Sequence, residues 1–391
     1  MGRREYLRAI YDRYRRGSPK QKGAILDEFC RVCDYHRKYA IRLLRGPRPE
    51  RYARVRRPRG PSYGRPVIQA LALVWEAAGY PWSVRLKALL PLWLPWLRQH
   101  LSLSHELEQQ LLSISPRQID RRLRSRKHTR GRRLYGRTKP GTLLKHHIPI
   151  RTDRWDVTAP GFTEIDLVSH SGDCADGEFA HSFNLTDIHS TWTETRAVLG
   201  KGQTGILAAL EDMRQCLPFP LQGIDSDNGS EFLNHHLVRY CRTHRIQFTR
   251  GRPYKKDDNA HIEQKNWTHV RRLLGWERYD SAAAVGLLND LYRRELRLMM
   301  NLFQPSVTLL RKERVGSRLK RIYSPPQTPL DRLRRTQGKK ALHRAAVNAL
   351  LRLRATTDPF ELAKTIQKKL DHIAALARRP AGAGRVTSQM A

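Results

Sequence analysis

The sequence predicts an α/β core, a mixed five-stranded sheet with flanking helices, preceded by an all-α helix-turn-helix region and followed by a small basic C-terminal extension. Three observations lead to this reading. Short segments rich in β-branched and aromatic residues cluster between residues 161 and 249, the first 130 residues follow a helical period, and basic residues are abundant from end to end.

The charge sets the class of partner. Lys and Arg number 74 against 36 Asp and Glu, a formal net charge of +38. Such a surface neutralises phosphates and releases their counterions, which points to a polyanion bound in a salt-dependent way. The most apolar stretch, Ala88 to Leu97, is ten residues long and contains Pro91 and Pro95, so it does not span a bilayer. The opening MGRREYLRAIYDRYRR has no apolar signal region, and the expected location is the cytoplasm, with the nucleoid. Five cysteines without a framework of spacings argue against a disulfide scaffold. Cys30, Cys33 and His36 raise the question of zinc, as do Cys241 and His244, but no second pair completes four ligands.

At 391 residues, the chain is long enough for two to three domains. Residues 1–46 read as helices Glu5 to Arg16, Pro19 to Cys30 and Tyr35 to Leu44, with Asp34 as N-cap of the third and Gly46 as its stop. Arg37, Lys38 and Arg42 give the third helix a basic exposed surface. This is a helix-turn-helix candidate beside the plainer reading of a helical hairpin with a solvated basic face. Residues 47–65 form a Pro/Gly/Arg linker in which Arg57 and Arg59 resemble minor-groove-entering arginines. Residues 66–128 form a second helical domain with helices at Val67 to Ala78, Val84 to Leu97 and His105 to Leu112. Its last helix is capped by Ser115, Pro116 and Gln118. There Ile119 and Leu123 point inward, leaving Arg117, Arg121, Arg122 and Arg124 to meet DNA. A basic linker follows over 129–160.

Residues 161–301 contain strands at Phe162 to Val168, Phe179 to Ile188 and Thr191 to Leu199, a helix at Thr204 to Cys216 and a strand at Leu221 to Ser226. A helix at Glu231 to His244, a strand at Ile246 to Thr249 and a helix at Ala260 to Trp276 complete the order βββαβαβα, that of a ribonuclease-H-like core. After a helix at Asp280 to Asn301, residues 302–337 suggest a small strand-containing basic unit carrying Arg311, Lys312, Arg314, Arg318, Lys320 and Arg321. Residues 338–391 read as helix, with Pro380 to Ala391 disordered.

Three acids stand out. Asp166 lies in mid-strand, where a carboxylate is costly to bury unless it meets a cation or a hydrogen-bond donor. Asp227 follows the fourth strand directly, in a turn with Asn228 and Gly229. Glu263 is placed by the helical period on one stripe with Trp267, Val270 and Leu274, the face expected to be buried against the sheet. From Asp227 to Glu263, 35 residues intervene. Asp225 shares a strand face with Asp227 by the period of two, and Asp187 ends its strand.

These acids, the phrase SDNGSEF at Ser226 to Phe232, and that spacing resemble the DDE integrase core of retroviral integrases and many bacterial insertion-sequence transposases. The run FTRGRPYKKDDNAHIEQKNW, Phe248 to Trp267, is similar to integrase-core transposases of bacterial insertion sequences, as are KGAILDEFC and YHRKYAIRLL near the N-terminus. Related sequences usually read KKNDNAH, whereas this chain has Asp257. The resemblance implies a transposase or integrase that cuts DNA and joins the 3′-hydroxyl to target DNA. Asp166, Asp227 and Glu263 would hold Mg²⁺ or Mn²⁺, two ions about 4 Å apart. Double-stranded DNA, as element ends and target, is the expected partner, with a homo-oligomer assembled on it. Lys255, Lys256, Lys265 and Asn266 beside the third acid suggest further DNA contacts, against the plainer reading of a solvated basic helix end. Two other readings remain, a transposase-derived DNA-binding regulator without catalysis and a ribonuclease-H-like nuclease without strand transfer.

Overall fold

The computed structural model describes residues 2–49, 63–128, 157–174, 176–226, 235–250, 265–315, 318–336 and 341–377. The chain divides into two compact units, Met1–Ser62 and Tyr63–Ala391.

In the first unit, α1 (Arg3–Arg16), α2 (Pro19–Cys33) and α3 (Arg37–Arg45) enclose Leu7, Ile10, Tyr14, Ile25, Leu26, Phe29, Ala40 and Leu44. Ser18 opens α2 with a reciprocal box. Its backbone N–H donates to Gln21 Oε1 at 2.8 Å while its hydroxyl accepts from Gln21 N. Asp34 does not cap the start of the third helix, as the sequence suggested. It ends α2 in a left-handed conformation (φ 54°, ψ 46°), its N–H donating to Cys30 O, and His36 caps α3 instead. Asp is suited to either place, because its short polar side chain tolerates the left-handed region.

The second unit opens with α4 (Arg65–Ala77), α5 (Ser83–His100), α6 (His105–Ser113), α7 (Pro116–Arg122) and α8 (Arg124–His128). Ser115 Oγ accepts from Gln118 N, and Ile119 and Leu123 are fully buried, as their spacing required. Strands β1 (Phe162–Ser169), β2 (Ala180–Asp187), β3 (Thr193–Leu199), β4 (Gly223–Ser226) and β5 (Gln247–Arg250) make a sheet of order β3-β2-β1-β4-β5. β2 runs antiparallel to β1 and β3, whereas β4 is parallel to both β1 and β5. Two helices, α9 (Gln203–Cys216) and α10 (His235–Thr243), cover one face over Ile165, Phe183, Leu185 and Ile224. This mixed sheet with two crossover helices is the ribonuclease-H-like arrangement expected from the element order.

The other face meets α11, a π-helical stretch Asn266–Arg271 running into Arg272–Leu274, and α12 (Ala282–Leu291), which continues through π-helical stretches to Phe303. A hairpin of β6 (Leu309–Val315) and β7 (Arg318–Tyr323) precedes α13 (Pro329–Arg335), α14 (Ala341–Thr356) and α15 (Pro359–Ala377). Among the described residues, no helix is long and apolar enough to cross a membrane.

The segments that the sequence separated as 66–128, 161–301, 302–337 and 338–391 pack as one unit. Leu71, Leu86 and Trp93 from the early helices share a hydrophobic core with Leu291, Phe303, Leu333 and Phe360. Linker-like composition marks where the chain is polar, not where its buried surfaces part. Trp93 shows the consequence. It is fully buried, its Nε1 donates to Phe303 O at 3.3 Å, and its ring meets Phe360 edge-on at 5.0 Å. Trp93→Ala is therefore expected to lower unfolding free energy by about 3–5 kcal/mol, measured by urea denaturation; a loss below about 1 kcal/mol would show that this core is not shared.

Candidate active site

β1 presents alternate residues to opposite faces, so Glu164, Asp166 and Val168 share the face that meets α11 and α12. Asp166 lies opposite Asn184 on β2, and Asn184 lies opposite Thr195 on β3. A row of polar side chains thus crosses three strands. Thr195 Oγ1 donates to Asn184 Oδ1 at 2.7 Å, Asn184 Nδ2 donates to Asn266 Oδ1 at 2.5 Å, and Asn266 Nδ2 donates to Asp166 Oδ2 at 2.5 Å. The backbone N–H of Leu167 donates to the other oxygen, Oδ1, at 2.7 Å. The half-buried carboxylate is thereby held in one orientation.

The ladder between β1 and β4 runs as far as Ile165 opposite Ser226, the residues immediately before Asp166 and Asp227. Asp225 is buried opposite Glu164 on the Asp166 face, and Thr249 Oγ1 donates to its Oδ1 at 2.5 Å. Asp187 does end its strand. It accepts from Gly161 N, Ser190 N and Ser190 Oγ, while burial pushes its carboxyl above the ordinary range.

Asp227 and Glu263 lie outside the described residues, as do Arg57, Arg59, Lys255 and Lys256, the Asn228–Gly229 turn and the tail expected to be disordered. Arg37, Lys38 and Arg42 are exposed on α3, with Arg37 paired to Asp27 and Arg42 lying over the Tyr39 ring at 4.9 Å. Arg117, Arg121 and Arg124 are exposed on α7 and at the start of α8. On the hairpin, Arg311 pairs with Glu313, and Arg314, Lys320 and Arg321 are exposed.

The start of α11 departs from the expected stripe. Val270 and Leu274 are buried, but Trp267 is 47% exposed, and the buried polar positions are Lys265 and His269. The cause is the π-helical stretch, whose i to i+5 bonds put one more residue in each turn and rotate its side chains away from the α-helical register. Lys265 and Asn266 consequently differ from a surface pair, one lying buried and the other binding Asp166.

Lys265 sits among cations. Burial, aided by Arg85 and Arg332, lowers its ammonium to about 7. Burial likewise lowers Arg85 and Arg332 to about 10. These two arginines converge on adjacent carbonyls. Arg85 Nε donates to Pro305 O, while Arg332 donates to Ser306 O, Ser306 Oγ at 2.7 Å and Thr191 Oγ1 at 2.6 Å. Among the described residues, His269 Nε2 is buried without a hydrogen-bond partner, and desolvation holds that imidazole well below its ordinary pKa.

Sequence reading missed Asn184 and Thr195, although a signal was present. Ser182, Asn184 and Thr186 alternate through β2, as Thr193 and Thr195 do in β3, giving one sheet face a polar stripe of period two. Arg85 and Arg332 gave none, because what distinguishes them is distant packing.

Among the described residues, the group with metal-ligand spacing is His100, Asp358 and Glu361. Its atoms are engaged locally. His100 pairs with Asp358 at 2.7 Å, Asp358 caps Phe360 N, and Glu361 pairs with Lys364.

No family model matches the chain. The uncharacterized protein y4rM of Sinorhizobium fredii (strain NBRC 101917 / NGR234) is 42% identical over 336 residues, which cover 84% of this chain and 94% of that protein. The chain belongs to the y4rM family. Among solved structures, the catalytic core domain of BIV integrase is 16% identical, with a TM-score of 0.29 over 44% of this chain and 91% of that one. The HTLV-2 integrase catalytic core domain in complex with magnesium is 14% identical, with a TM-score of 0.29 over 38% of this chain and 92% of that one. Scores so low leave the core of this y4rM-family member to be argued from its own strand order.

The buried lysine makes a testable demand on stability. Its folded-state value of about 7 lies below the ordinary lysine value of 10.5, so between those pH values the unfolded chain takes up a proton that the folded chain does not. Stability is lost as pH falls through that window and then levels off. Lys265→Met should therefore exceed the parent by about 2–5 kcal/mol near pH 7, an advantage that shrinks toward pH 10 in urea titrations. An advantage independent of pH would mean that Lys265 stays charged in the fold.

Proposed function

We propose that the chain is a DDE polynucleotidyl transferase of the transposase or integrase kind, which binds DNA ends, cleaves a strand and transfers the 3′-hydroxyl to target DNA. The observation that carries this reading is the hydrogen bond from Asn266 to Asp166 beside the parallel β1–β4 pair. It joins α11 to β1, the strand that pairs with β4, which supports a meeting of the three acids. Asp227 follows the last described residue of β4, and Glu263 precedes Asn266 by three residues, at most about 11 Å of chain.

Asp166, Asp227 and Glu263 would hold one or two Mg²⁺ or Mn²⁺ ions, and the donor set of carboxylate oxygens suits such hard cations. When bound, the ions supply Lewis acidity and alignment for in-line displacement at phosphorus. The chain's own residues fix the geometry. Asn266 and the Leu167 N–H orient Asp166, and Asn184 with Thr195 orients Asn266 in turn. The buried cations Arg85 and Arg332, in whose field Lys265 lies, add positive potential beside the start of α11, which favours a phosphodiester.

α2, the three-residue turn at 34–36 and α3 match a helix-turn-helix unit in order and turn length, with Lys38 and Arg42 on the exposed face of the second helix. α7 offers a second basic surface through Arg117 and Arg121, and the β6–β7 hairpin a third. Working assemblies are expected to contain at least two chains bridged by DNA, since two ends must be joined and each site engages one phosphate.

Asp166→Asn should reduce metal-dependent DNA cleavage and joining to background while leaving DNA affinity at the parent level. Parental activity of that variant in Mg²⁺ would overturn the assignment. The double variant Lys38→Ala/Arg42→Ala should flatten the dependence of log affinity on log salt by about 2, given roughly 0.9 per phosphate contact. An unchanged slope would remove α3 from the DNA interface.

A further inference from the structure

Among the described residues, the exposed large hydrophobic side chains include two tryptophans, Trp267 at 47% and Trp82 at 50%. Leaving an indole in water forgoes one of the largest gains from burial that a side chain offers, so exposure in a chain with a well-filled core calls for an explanation. Trp267 lies on α11, and the loop that precedes Trp82 is bonded to the same helix. Trp267 follows Asn266, the residue that holds Asp166. Further along α11, Arg272 donates to the carbonyls of Gly79 and Tyr80, in the loop that carries Trp82. That loop is firmly shaped. Gly79 and Tyr80 take left-handed conformations (φ 70° and 62°), Tyr80 packs edge-on against Trp75 at 4.8 Å, and Trp75 Nε1 donates to Pro81 O at 3.1 Å.

We infer that Trp267 is a substrate-positioning residue that stacks on a DNA base next to the phosphate held at Asp166, with Arg272 and Trp82 extending the same track along the strand. The inference rests on the catalytic reading of Asp166. Three features identify the occupant as nucleic acid. The chain carries a net charge of +38, the indole belongs to the residue next to one bonded to Asp166, and the same helix bears Arg272, which bonds the loop leading to a second exposed tryptophan. Every base has a π-face, so an indole holds a strand without reading its sequence. A base drawn out of its stack by Trp267 would leave the neighbouring phosphodiester open to the carboxylate. The buried side of the same helix explains how the indole keeps its place. Asn266, Val270 and Leu274 fix α11 against the sheet and core, and the π-helical turn directs Trp267 outward.

The test uses the full chain and a forked DNA duplex of mixed sequence with 5-iodouracil at the fork, in EDTA so that no cleavage is needed. Irradiation should crosslink the base to Trp267, recovered in the tryptic peptide 266–271. Trp267→Ala should weaken binding of the fork about 5- to 100-fold, and Trp267→Phe should bind within about threefold of the parent. An abasic nucleotide at the crosslinked position should erase the difference between the parent and Trp267→Ala. Crosslinks confined to other peptides, equal loss in the Ala and Phe variants, or a Trp267→Ala variant that binds like the parent would each overturn the inference. The catalytic reading is judged separately. A Trp267 crosslink in a protein whose Asp166→Asn variant still cuts DNA would keep the stacking residue and discard the triad.

Discussion

A carboxylate in the middle of a central strand has to be met by donors or by a cation, and much of the second unit is arranged around that demand at Asp166. The sheet contributes Asn184 from β2, which neighbours β1, and Thr195 from β3 beyond it, and α11 contributes Asn266. Each amide uses its oxygen as acceptor toward the edge of the sheet and its nitrogen as donor toward the acid, so the row has a single hydrogen-bond direction. Reversing any amide in it would place two donors or two acceptors face to face. The row therefore fixes rotamers as well as contacts, and it ties the position of α11 to the register of three strands.

The edge of the sheet is closed by the same chemistry. β3 has a free hydrogen-bonding side, and two asparagines from the α12 stretch occupy it: Asn289 bonds to N and O of Ala197, and Asn301 to N and O of Thr193. An unpaired edge invites pairing with another chain. Here side-chain amides stand in for the missing strand and also anchor the helix that covers the sheet. Glu194, fully buried between them, is met by Arg297, Arg196 and Trp192 Nε1. A buried carboxylate without such partners would be a severe cost.

What the sequence disclosed follows from how local its signals are. The strands and α9 were legible to within two or three residues because alternation and helical period are properties of neighbours, and the burial of Ile119 and Leu123 followed from their spacing of one turn. Asp34 was misread because the same side chain favours both a helix start and a left-handed helix end. Trp267 was misread because an α-helical wheel cannot anticipate a π-helical turn, whose cost is met by contacts such as the one from Asn266 to Asp166. The joining of the early helices to the core was invisible for a related reason. Trp93 and Phe303 are 210 residues apart, and no local pattern in either segment names the other.

That joining bears on how DNA held outside the core is felt inside it. Ser83 at the start of α5 donates to Asp120 of α7, the helix with the exposed Arg117 and Arg121. Two residues later on α5, Arg85 donates to Pro305 O, next to the Ser306 that Arg332 grips from α13. Lys265 lies within the field of both arginines and is followed by the asparagine that orients Asp166. A continuous set of packed and hydrogen-bonded groups thus runs from a basic helix to the candidate acid. Like charges brought together in a buried place repel strongly when water is excluded. Burial does most to disfavour the charged form of Lys265, and Arg85 and Arg332 add to it. A displacement of α5 relative to α13 would alter that repulsion at the residue adjoining Asn266, which makes the helices before the sheet part of the site's electrostatics and not a detachable handle.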